Sequence, residues 1–141
     1  MGMISLPFSH LVKTIERQQV KQNPKTIGEH LRVKRLQGHL TQKEVAQLIG
    51  VSEDCITFWE KGRSIPQVQY YPAIIQFLDY FPFEIDINII GGRIKRYRYE
   101  HGLSFKKLAK LTGFDPATLA RWEESKTLPS SQNLKKLKEL I

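Results

Sequence analysis

Cysteine is all but absent. Cys55 stands alone in 141 residues, so no intramolecular disulfide is available, which suits a reducing compartment. Long apolar runs are missing as well, and no stretch reaches the ~20 residues a membrane-spanning helix needs. Met1 to His10 has no charged segment leading into a sustained apolar run, so a secretory signal is not expected. His10, His30, His39 and His101 are scattered, no acid pair is set out for general acid–base work, and no glycine-rich phosphate loop is present. Enzymatic, metal and cofactor chemistry therefore have no footing, and a cytoplasmic chain without a membrane partner is the expectation. Acidic residues are also scarce, with 14 Asp and Glu against 22 Lys and Arg, for a net charge of +8.

What the chain does have is itself, twice. Residues 27–66 and 90–129 align without gaps at a constant offset of 63. Matched pairs include Gly28/Gly91, Arg35/Arg98, Ala46/Ala109, Gly50/Gly113, Trp59/Trp122, Glu60/Glu123 and Pro66/Pro129. A unit of this length is too long for a solenoid repeat and long enough for a small helical domain. The spacing predicts an N-terminal extension (1–24), copy 1 (25–80), a connector (81–88) and copy 2 (89–141). Each copy sits near the lower size limit for folding without disulfide or metal. In the extension, Leu11, Val12, Ile15 and Gln19 suit a short amphipathic helix.

Both copies read as all-α bundles of about four to five helices, each holding two helices joined by a tight turn. In copy 1 a helix over about 26–37 carries Ile27, Leu31 and Leu36 inward and stops at Gly38. Thr41 with Glu44 forms a capping box for the next helix, with Val45, Ala46, Leu48 and Ile49 expected inward up to Gly50. Ser52 caps a third helix that runs to about Lys61, and Pro72 opens a fourth. In copy 2, Gly102, Ser104, Gly113, Asp115-Pro116 and Ser130 or Ser131 punctuate the same order. The connector is aromatic around Phe81 and Phe83, which argues for packing rather than flexibility.

Small Ala46 and Ala109 where two helices cross, with Gly50 and Gly113 at the turn, make each copy a helix-turn-helix. Both copies resemble the Cro/repressor-like helix-turn-helix domains. The resemblance rests on Leu40-Thr41-Gln42, Ala46, Gly50, Trp59-Glu60 and Arg63 with Pro66. In copy 2 it rests on Leu103-Ser104, Ala109, Gly113, Arg121-Trp122-Glu123 and Pro129. It covers about 110 of the 141 residues. It implies sequence-specific duplex DNA binding, a transcription-regulating role, and a location at the bacterial nucleoid. It also implies structural ion pairs Arg35–Glu60 and Arg98–Glu123, tying the first helix of each copy to the third.

In such a motif the third helix lies in the major groove. The resemblance places Asp54, Thr57 and Phe58 of copy 1, and Ala117, Thr118 and Arg121 of copy 2, toward base edges. It places Gln42, Lys43, Ser52 and Arg63, with Lys106, Lys107, Lys110 and Lys126, toward the DNA backbone. The basic Arg93, Lys95, Arg96 and Arg98 flank the second set. Charge separates the copies: 25–80 holds seven bases and six acids, whereas 89–141 holds twelve and five. The polyanion footprint therefore lies on copy 2. Copy 1 offers Glu53 and Asp54, which repel phosphate unless one accepts from cytosine N4. Copy 1 either reads a second half-site or serves as an interaction module, for a homodimer or an antitoxin-type protein partner, through Phe58, Tyr70, Tyr71 and Phe77. Phe105 stands where Gln42 stands, and Thr112 stands where the family prefers an aliphatic.

Overall fold

A computed structural model describes residues 23–141, and the chain is all-helical over that span. The expected amphipathic segment at Leu11 to Gln19 lies outside the described residues. Copy 1 contributes α1 (Ile27–Gln37), α2 (Gln42–Ile49), α3 (Glu53–Glu60) and α4 (Tyr71–Leu78), the last preceded by a 3-10 turn at Val68–Tyr70. Copy 2 contributes α5 (Ile90–His101), α6 (Phe105–Thr112), α7 (Pro116–Glu123) and α8 (Ser131–Leu140).

Local chemistry sets most helix starts. The hydroxyls of Thr26, Thr41, Ser52, Ser104 and Ser130 each accept from a backbone N–H three residues on, and Asp115 accepts from Ala117 and Thr118. These caps satisfy donors that a helix start leaves unpaired. The turns end in a left-handed residue, at φ 86° for Gly50 and 80° for Gly113. Where copy 1 has Gly62 in that conformation, copy 2 has Ser125 at φ 59°. A side chain there is strained, so Ser125→Gly should raise stability by about 0.5–1 kcal/mol in urea unfolding. A loss of stability would show that the serine side chain makes a compensating bond.

The core repeats position by position. Leu31, Val45, Ile56, Trp59 and Ile74 are buried in copy 1, and Ile94, Leu108, Leu119, Trp122 and Leu137 are buried at the matching places of copy 2. Thr112 is buried too, and its hydroxyl donates to the Leu108 carbonyl at 2.9 Å. That bond removes the cost of placing a polar group where Ile49 sits in copy 1. Leu48 departs from its expected inward role: it is 63% exposed, as is its mate Leu111 at 61%. At about 100° per residue, Val45, Ala46 and Ile49 span one narrow arc and Leu48 falls beside it.

By packing, the chain divides between Pro66 and Gln67. In the first unit α3 packs on α1 and α2. In the second, α7 packs on α5 and α6, and α4 packs on α5. Helix α4, which the repeat assigns to copy 1, thus counts with the second unit. There Tyr71 meets Phe83 and Tyr99 at centroid distances of 4.9 and 4.8 Å, so Tyr71 is a core residue and not an exposed interaction residue. The connector is packed accordingly, and Arg96 lies over Phe81 at 4.5 Å.

Candidate nucleic-acid interface

Each third helix is held by the same ion pair. Arg35 grips Glu60 with both Nε and Nη2, at 2.9 and 2.7 Å, and donates Nη1 to the Leu40 carbonyl. Arg98 repeats this with Glu123 at 2.8 Å twice and with the Leu103 carbonyl. The side chains of the second pair are 9% and 7% exposed. Arg98 is therefore withdrawn from the basic surface that its neighbours Arg93, Lys95 and Arg96 flank. Arg96 is also engaged, with Glu100 at 2.7 Å.

With helix α7 so fixed, Leu119 and Trp122 face the core. Ala117 and Arg121, four residues apart, share the opposite face and are exposed, while Thr118 is half-buried on its flank. Lys106, Lys107 and Lys110 on α6 are exposed and form no ion pair among the described residues. Lys126 is exposed but bonded to Glu124 at 2.7 Å. That bond, with the ammonium's charge, holds the Glu124 carboxyl below its ordinary range. Such an exposed pair is worth little and yields readily to a phosphate.

In α3 the outer face differs residue for residue. Asp54 occupies the place of Ala117, and Phe58, 42% exposed, the place of Arg121. Thr57 and Gln42 are joined: the Thr57 hydroxyl lies 2.7 Å from Gln42 Oε1 and donates to it. The hydroxyl proton is thereby committed, and the Gln42 amide N–H groups are left to point elsewhere. The Ser52 hydroxyl likewise caps α3 and touches Cys55 Sγ at 3.2 Å. Lys43, Asp54 and Arg63 are exposed.

Copy 2 has Phe105 and Ala120 at the places of Gln42 and Thr57, so the polar link is absent there. Phe105 instead covers the Arg98 guanidinium, 4.0 Å from ring to carbon. The family-type glutamine is thus exchanged for a lid on the ion pair. One basic residue escaped the sequence reading. Lys136 of α8 brings its ammonium 4.9 Å from the Phe114 ring, beside the turn at Gly113. No local motif could reveal that contact, because a separate helix supplies it.

A family model described as helix-turn-helix, of the Cro/repressor type, matches the chain twice, at residues 31–84 and 94–140. The two matches cover well over half of the chain, which belongs to this family of DNA-binding, transcription-regulator-type domains. No curated protein and no solved structure gives a match. No helix among the described residues is long and apolar enough to cross a membrane.

Proposed function

We propose that the protein is a sequence-specific duplex DNA-binding regulator that reads the major groove with α7. The observation that carries this reading is the outer face of that helix: Ala117 and Arg121 exposed, no carboxylate there other than the capping Asp115, and Lys106, Lys107 and Lys110 on the adjoining helix. Small Ala117 lets the helix approach, and Thr118 on the flank suits a base or phosphate contact. Arg121 suits the paired acceptors of guanine, a contact worth ~1–3 kcal/mol of discrimination. The lysines fix position on the backbone without reading sequence.

Salt dependence tests the electrostatic part. Binding to a duplex should weaken linearly in log–log form as salt rises, with a slope of about −0.9 per phosphate neutralised. Lys106→Gln with Lys107→Gln should flatten that slope by roughly 1–2 units, measured by fluorescence anisotropy. Affinity indifferent to salt would contradict the proposal.

A further inference from the structure

Copy 1 lacks the cationic face of copy 2, yet its third helix is not plain surface. Asp54 and Phe58 lie one turn apart, with Glu53 beside Asp54, and all three are exposed. Carboxylates here repel phosphate, and the Phe58 ring is left 42% exposed by the residues around it. The face calls for a partner that is apolar and positively charged.

The second unit carries a groove of that character. It has a volume of about 450 Å³ and is lined by Ile87, Ile90, Leu128 and Leu134, with Arg93 and Lys138. Leu128 is 77% exposed and Ile87 50%. Neither Arg93 nor Lys138 forms an ion pair with a described residue. The groove is apolar with two cations and the α3 face is aromatic with two carboxylates, none of the four in an ion pair with a described residue.

We propose that the α3 face of one chain docks into the groove of a second copy, with Phe58 seated against Leu128 and Glu53 and Asp54 paired with Arg93 and Lys138. Copy 1 is then an assembly module, and copy 2 keeps its DNA face. Exchanged reciprocally, the contact closes a dimer, and exchanged in one direction it builds longer chains. The proposal does not depend on DNA reading by α7. It is tested without DNA, so failure of one leaves the other standing.

Sedimentation of the whole chain at low micromolar to ~100 µM concentration should show reversible self-association. Phe58→Ala and Leu128→Arg should each weaken it by about tenfold or more. Both side chains are exposed, so helical circular dichroism should be unchanged. Reversing the cations, Arg93→Glu with Lys138→Glu, should abolish association, and adding Glu53→Lys with Asp54→Lys should restore it. A wild-type chain that stays monomeric throughout overturns the proposal. So does association that survives Phe58→Ala and Leu128→Arg, or that the charge swap fails to restore.

Discussion

Glu123→Ala is expected to cost about 3–5 kcal/mol, enough to unfold the second unit or nearly so. Truncation leaves the Arg98 guanidinium buried under Phe105 without its carboxylate, holding only the Leu103 carbonyl. Were the pair merely a surface contact, the loss would be ~0–1 kcal/mol. The 9% and 7% exposures and the two-point grip decide for the larger figure. Arg98→Met combined with Glu123→Leu should recover most of the loss, because an apolar pair removes the stranded charge. Urea unfolding of the two variants beside wild type measures both effects. A Glu123→Ala loss under 1 kcal/mol would mean that the pair is ornament and that packing alone orients α7.

Gly28→Ala and Gly91→Ala should each be severely destabilising, by ~3 kcal/mol or more, against the usual rule for helices. Inside a helix, glycine to alanine ordinarily stabilises by about 0.5–1 kcal/mol. Here an added Cβ would lie 1.7 Å from the Trp59 carbonyl oxygen in copy 1. In copy 2 it would lie 2.5 and 2.6 Å from the carbonyl oxygens of Glu123 and Trp122. Those atoms are backbone at the end of the third helix and cannot swing aside. The first helix would have to lift from the third, which loosens the ion pair as well. Thermal unfolding reports the sign directly, and a raised midpoint in either variant would refute the close approach.

Much of this was legible in the residues. The repeat offset led to two helical bundles because helix starts and turns are written locally, in Thr41, Ser104, Asp115, Gly50 and Gly113. Such signals need no knowledge of distant packing. Contacts between elements were less accessible. Leu48 looked apolar and therefore inward, but only its angle on the helix puts it at the surface. Gln42 and Thr57 each resembled a DNA contact, and their mutual bond depends on how α2 crosses α3. Phe105 stands where copy 1 has Gln42, and its place over Arg98 depends on how α5 and α6 pack. Tyr71 belongs by repeat to copy 1, yet packs with Phe83 of the aromatic connector and Tyr99 of α5, which no local signal announces. The electrostatic asymmetry was visible as counts. Its meaning came from geometry, since burial with Glu123 withdraws Arg98 and leaves Lys106, Lys107, Lys110 and Arg121 outside.

The most direct test of the central claim is selection of binding sites from a random duplex pool at roughly physiological salt, run in parallel with wild type and Arg121→Ala. Wild type should enrich a defined motif, and Arg121→Ala should relax it at one guanine-containing position, at a cost of ~1–3 kcal/mol there. If wild type enriches no motif, or the same motif emerges unaltered from Arg121→Ala, then α7 does not read sequence through Arg121.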